Sequence, residues 1–296
     1  MPRLNYIDIA KGIGIVLVVL SHTDASSLMY ITKGFFVPVF YFCAGHTYSP
    51  NGSFLKNVVK REKKIITQYI FFSLLLITIS FKLNLSTLAG AFYSRRYLFP
   101  YGTPDNVDML LTGMSPLWFL TSFAVSYFLF YILVFTKQYR MLLISIYILF
   151  AGLLVDLPIL LPWSVDTAFV FSIIMYAGMY FRHQQINEIA FLPIGLLYIF
   201  LMSVAGDINI SLSMYGDSFV LNLLLGIMGS LALVYMCKFF EKYLQNGVLS
   251  LLGRHSLTIF CMQIPYIVAA KKVFNSLWLG SNNELLIWGR LSENLM

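Results

Sequence analysis

Three ionisable side chains crowd the first apolar segment of the chain: Asp8, Lys11 and His22. Each such group costs at least ~2.5 kcal/mol at the centre of a membrane helix on insertion scales, so each asks for a purpose. Lys11 and His22 are eleven positions apart. On a helix that is about three turns, so they share one face at ~16 Å along the axis. An imidazole titrating near ~6.5 takes a proton from a hydroxyl at neutral pH, which makes His22 a candidate general base. Packing explains the same pair, with Lys11 snorkelling to one interface and His22 closing the other end. Spacing alone leaves both readings open.

A second cluster, Lys56, Lys60, Arg61, Lys63 and Lys64, stands just before the third apolar run. Arg61 and Lys64 lie three positions apart on one helical face, a spacing suited to clamping phosphate, as in a coenzyme A thioester. Setting topology and contacting anionic lipid is the alternative role for such a cluster. Two short strings also stand out, PLWFL from Pro116 to Leu120 and GRHSL from Gly253 to Leu257. Trp118 is explained as an interfacial aromatic and Ser256 as a helix-terminus cap. Gly253, Arg254 and Ser256 also offer backbone donors and a charge to an anion. His46 closes the string FCAGH as a supporting residue, whereas His183, beside Arg182, reads as a solvated loop residue. The four histidines form no His-Glu-x-x-His array, so no metal site and no bound cofactor are expected. No Gly-x-Ser-x-Gly elbow, P-loop or dinucleotide fingerprint occurs.

The elements that must position these groups are membrane helices. Of 296 residues, 59% are hydrophobic and 11% charged, with a mean hydropathy of +0.78. Ordinary soluble domains carry about 25% charged residues, so a soluble globular fold is excluded. Runs of ~17 to 25 mostly apolar residues mark nine spans, near 9–28, 34–49, 65–82, 117–136, 141–156, 166–182, 189–205, 217–238 and 249–270. The expected fold is therefore all-α, a polytopic transmembrane helix bundle of nine to ten spans forming one domain over 1–296. The stretch 83–116, with Arg95, Arg96, Asp105, Asp108, Pro100 and Pro104, reads as a long, partly structured loop, and 271–296 as interfacial or irregular. Cys43, Cys237 and Cys261 lie in apolar runs and read as buried thiols.

Charge orients the bundle. With the N-terminus in the cytosol, thirteen basic residues fall on the inner side, among them Arg3, Lys11, Arg61, Arg182 and Arg254. Seven fall outside, among them Lys33, Arg95 and Lys271. Cytoplasmic loops retain Lys and Arg, so this asymmetry predicts a cytosolic N-terminus and accounts for the net charge of +7 without nucleic acid. A cleaved signal peptide is disfavoured by Asp8 in the supposed basic region and by the polar Ser-His-Thr-Asp after Leu20. Neither a fixed-period repeat nor a matched pair of interrupted helices is visible.

Taken together, several strings resemble acyltransferase family 3, in its sugar O-acetyltransferase and fucose 4-O-acetylase-like branch. They are YIDIAKGIGIVLVVLSH (Tyr6 to His22), FFVPVFYFCAGHTYS (Phe35 to Ser49), the basic stretch Lys56 to Lys64, PLWFL, YAGMYF (Tyr176 to Phe181) and GRHSLTIF (Gly253 to Phe260), in family order across nearly the whole chain. The resemblance implies a basic residue and an essential histidine with ten residues between them, here Lys11 and His22. It also implies an Arg-x-x-Arg-like pair engaged with acyl-CoA, here Arg61 and Lys64. Lys11 stands where many members have arginine, keeping the charge without the bidentate fork. Gln263 stands where a histidine is expected, and neither a clear tenth span nor a fused hydrolase-like domain follows.

The resulting expectation is a membrane O-acyltransferase, an O-acetyltransferase in the first instance, in a bacterial cytoplasmic membrane. Acetyl-CoA or another acyl-CoA is the cosubstrate, and a saccharide or lipid-linked glycan is the acceptor. His22 and Lys11 are the catalytic candidates; Arg61, Lys64 and Arg254 bind acyl-CoA; Asp8, His46, Trp118 and Ser256 support or contact substrate. Membrane lipids are the other partners, and the sequence assigns no oligomeric state. The rivals are a transporter or flippase of a glycan or lipid-linked intermediate and a non-catalytic scaffold for envelope biosynthesis.

Overall fold

A computed structural model of the protein describes residues 3–23, 29–49, 53–80, 85–95, 98–99, 117–155, 157–244 and 247–278. In chain order the helices are α1 (Asn5–Leu20), α2 (Pro38–His46), α3 (Phe54–Ser80), α4 (Leu85–Tyr93), α5 (Trp118–Phe135), α6 (Arg140–Val155), α7 (Val165–Arg182), α8 (Phe191–Met202), α9 (Phe219–Phe239), α10 (Glu241–Leu244), α11 (Val248–Arg254) and α12 (Ser256–Trp278). A two-residue ladder between α8 and α9 pairs β1 (Ile208–Asn209) with β2 (Met214–Tyr215), antiparallel, Ile208 opposite Tyr215. Among the described residues the rest is helices and their connections.

Among the described residues four helical stretches are long and apolar enough to cross a membrane: Trp118–Phe135, Lys137–Val155, Pro162–Arg182 and Phe219–Phe239. Helices α6 and α8 sit at the periphery and expose Met141, Leu142, Leu149, Leu153, Leu192, Leu196 and Phe200. An apolar surface of that extent is stable only against lipid, since soluble monomers rarely expose patches of more than a few hundred Å². The protein is an integral membrane protein.

Several elements differ from the sequence expectation. The first helix ends at Leu20, so His22 lies in the turn beyond it. The second span contains only the nine-residue α2, begun by Pro38 at a position where proline's missing N–H is harmless. Helix α3 runs back through the basic cluster to Phe54, and α4 occupies part of the stretch read as a loop. The ninth span is two helices, α11 and α12, meeting at His255, and α12 continues to Trp278 through the start of the tail. Arg96, Asp105, Asp108, Pro100, Pro104 and the tail beyond residue 278 lie outside the described residues.

Two main-chain seams hold the centre. A Cβ placed on Gly45 of α2 would stand 1.8 Å from the Met175 carbonyl oxygen, and one on Gly178 of α7 would stand 2.1 Å from that of Phe42. Likewise, a Cβ on Gly12 of α1 would meet the Leu249 carbonyl oxygen at 2.0 Å, and one on Gly253 of α11 the Asp8 carbonyl oxygen at 1.7 Å. Small residues let membrane helices approach until their backbones touch, which is where van der Waals packing within lipid is strongest. Gly45 of CAGH and Gly178 of YAGMYF therefore interlock, as do Gly12 of α1 and Gly253 of LLGRH.

At the opposite end from Lys11, the structure buries a salt bridge between Arg95, read from the sequence as part of a long, partly structured loop, and Asp166. Arg95 and Asp166 have side chains only 1% and 3% exposed. The Arg95 guanidinium donates to the Asp166 carboxylate, to the Ser211 carbonyl at 2.8 Å and to the Leu161 carbonyl at 3.3 Å. The Ser213 hydroxyl donates to the second Asp166 oxygen. This network ties α4, the approach to α7 and the β1–β2 turn together. Removing one partner strands the other charge, so Arg95→Leu is expected to cost ~3–5 kcal/mol, while the Arg95→Leu/Asp166→Leu pair recovers most of it. Thermal denaturation in detergent measures both.

Candidate active site

Two adjoining cavities lie at the end of the bundle where Lys11, Arg61, Arg182 and Arg254 gather. The first, about 170 Å³, is lined by Lys11, Phe40, Ala44, Thr47, Arg61, Phe119, Phe123, Tyr127, Ser256, Leu257 and Phe260. Its walls are largely aromatic: Phe119 and Phe260 pack with centroids 4.5 Å apart, and Phe40 meets Phe119 edge-on at 5.8 Å. The second, about 370 Å³, is lined by Arg3, Leu4, Ile7, Asp8, Lys11, Thr47 and Arg182. Lys11 and Thr47 line both.

The fold explains this convergence. The α1–α11 seam at Gly12 and Gly253 brings Asp8 beside Arg254 and sets Ser256 at the wall of the first cavity. The α2–α7 seam at Gly45 and Gly178 brings Thr47 and Arg182 to the second. Asp8 is the electrostatic centre. Its carboxylate, 7% exposed, accepts a hydrogen bond from Arg3 Nε and lies 3.6 Å from Lys11 Nζ and 4.0 Å from Arg254 Nε. A buried carboxylate is stable when paired in this way, and here it holds three cations in one place.

The other expected residues are distributed as follows. Arg61 lines the aromatic cavity with its guanidinium over the Tyr127 ring, 5.7 Å from the centroid, a cation–π arrangement. Glu62 precedes the apolar part of α3, and burial pushes its carboxyl up to about 7, which reduces its negative charge beside Arg61. Lys64 is exposed on α3 and lines neither cavity. His46 is buried at the end of α2, its Nε2 3.1 Å from the Tyr6 hydroxyl, one residue before Thr47. Trp118 is buried at the start of α5, under the Arg95 guanidinium at 6.0 Å, with its neighbour Phe119 on the aromatic cavity. Arg254 ends α11 and donates to the Ser250 hydroxyl at 3.3 Å. His22 is exposed, its Nδ1 3.0 Å from the Ser21 hydroxyl, and lines neither cavity. The structure thus joins Lys11, Asp8, Arg61, Arg254 and Ser256, and leaves His22 apart from them.

Sequence reasoning missed Arg3, Thr47 and Arg182 as site residues. Arg182 directly follows YAGMYF, so the signal was a cation next to a resembling string. Gln263 is buried on α12, and neither atom of its amide has a hydrogen-bond partner among the described residues. It stands seven residues after Ser256, on the same helix face. All three cysteines are free and buried, and no group of three or more His, Cys, Asp or Glu side chains fit to hold a metal occurs among the described residues.

A family model described as an acyltransferase domain, Acyl_transf_3, matches residues 4–291. The chain belongs to acyltransferase family 3. No curated protein and no solved structure matches it. The match spans α1 to α12 and includes every residue that lines the two cavities of this membrane acyltransferase except Arg3. A cationic mouth opening onto an aromatic interior can hold a charged head and an uncharged acyl-bearing arm at once.

Proposed function

We propose that this acyltransferase moves an acyl group, acetyl in the first instance, from acyl-CoA to a hydroxyl of a cell-envelope saccharide or exopolysaccharide precursor. The observation that carries the reading is the aromatic cavity with Lys11 and Arg61 in its wall, in a chain of this family. The donor enters from the cytosolic face of a bacterial cytoplasmic membrane, the face on which the charge asymmetry puts Lys11, Arg61 and Arg254. Nine to ten spans with a cytosolic N-terminus complete this topology.

In the reaction, the acceptor hydroxyl oxygen attacks the thioester carbonyl carbon. The C–S bond breaks and CoA leaves as its thiol. His22 takes the hydroxyl proton and returns it to the departing sulfur, or carries the acyl group itself between donor and acceptor. Lys11 orients the donor from the wall that the two cavities share. Arg61, Lys64 and Arg254 attract the donor's phosphates; Asp8, His46, Trp118 and Ser256 fix the surrounding groups.

Proteoliposomes supplied with labelled acetyl-CoA and a saccharide acceptor test this. Free CoA release matched by a one-acetyl mass increase on the acceptor is the expected result. Movement of a glycan across the bilayer without thioester consumption would make the protein a transporter.

A further inference from the structure

We infer that the second cavity is a phosphate-binding subsite in which Arg3, Lys11 and Arg182 hold the phosphorylated head of the donor. This rests on the acyl-CoA reading and relocates the head, because Lys64 lines neither cavity and Arg61 lines the aromatic one.

Charge is the first ground. The cavity lining has three cations, Arg3, Lys11 and Arg182, against one carboxylate, Asp8, so an anion entering meets net positive charge. Arg254, 4.0 Å from Asp8, adds a fourth cation at its edge. Preorganisation is the second. Asp8 pins Arg3 and Lys11 before any ligand arrives, and Arg182 is anchored by donation from Nη1 to the Tyr48 carbonyl at 3.0 Å. Two guanidinium groups provide the planar forks that match phosphate oxygens. Size is the third: about 370 Å³ falls within the ~300–1,000 Å³ of ordinary small-molecule pockets.

Connection to the first cavity selects the ligand. Because Lys11 and Thr47 belong to both linings, a molecule with its arm among Phe40, Phe119 and Phe260 extends its other end among Arg3, Lys11 and Arg182. That end must be anionic and the arm must not be. A phosphorylated nucleotide bearing a thioester arm has both properties. A phospholipid headgroup offers the same phosphate chemistry, so the experiment separates the two.

The full chain in maltoside detergent is titrated with coenzyme A, with pantetheine, which lacks the phosphates, and with phosphatidylglycerol. Each lost charge-assisted contact is expected to weaken coenzyme A binding about tenfold or more in Arg3→Gln and in Arg182→Gln, with pantetheine binding unchanged. Added salt should weaken coenzyme A binding to wild type more than to either variant. If Arg182→Gln fails to fold for want of its bond to Tyr48, Arg3→Gln decides alone, since that side chain is 62% exposed. Unchanged coenzyme A affinity in a folded variant overturns the inference and returns the head to Arg61 and Lys64. Dependence of phosphatidylglycerol binding, but not coenzyme A binding, on Arg3 and Arg182 also overturns it, making the cavity a lipid site. Wild-type protein that binds no coenzyme A at all overturns the donor reading itself.

Discussion

His22→Ala is expected to lower acyl transfer by ~10²–10⁴-fold, the range in which a positioned general acid–base group contributes. The same protein should insert and melt like wild type, because the side chain is exposed in a turn beyond α1. Turnover from labelled acetyl-CoA and a thermal melt on one preparation check both halves. The result has unusual weight because His22 lines neither cavity. At ~1.5 Å per residue from Lys11, a donor arm anchored near Lys11 has to reach ~16 Å to meet it. Retained turnover in the variant would remove His22 from the mechanism and direct attention to groups on the aromatic cavity, beginning with Ser256.

Gly45→Val is expected to damage assembly severely. The added Cβ would stand 1.8 Å from the Met175 carbonyl oxygen, which is backbone and cannot swing aside. Overpacking a core costs ~1–3 kcal/mol when side chains can yield; here the helices themselves must part, so a loss above ~3 kcal/mol is expected. Size-exclusion chromatography of the detergent-solubilised variant should show aggregation or no recoverable protein. A well-behaved, fully stable Gly45→Val would mean that α2 and α7 do not meet at this seam.

The sequence made the membrane class, most of the helices and the family legible because lipid imposes length and composition directly. What it did not reveal was which face of each helix turns inward. Helix α5 carries no charged residue, so it has no charged side to mark its outside, unlike an amphipathic helix in water. Inward faces were set instead by glycines whose partners are far away in sequence, Gly45 with Met175 and Gly253 with Asp8. That is why Lys11, Arg61 and Arg254 could be named separately as cations, while Arg3 and Arg182 could not be placed beside them. Arg95 and Asp166 escaped for the same reason. Their pairing spans 71 positions, and the sequence shows Arg95 only as one cation of a long, partly structured loop.

The seams also determine where the bundle can yield. Sliding α1 against α11, or α2 against α7, would drive a carbonyl or a side chain into a space only a hydrogen can occupy, so each pair can shift only as a block. Helices α3, α5 and α12 contain no glycine, and between them they contribute Arg61, Phe119, Phe123, Tyr127, Ser256, Leu257 and Phe260 to the aromatic cavity. Any widening of that chamber would therefore come from these three helices rather than from a shift of the glycine-locked pairs.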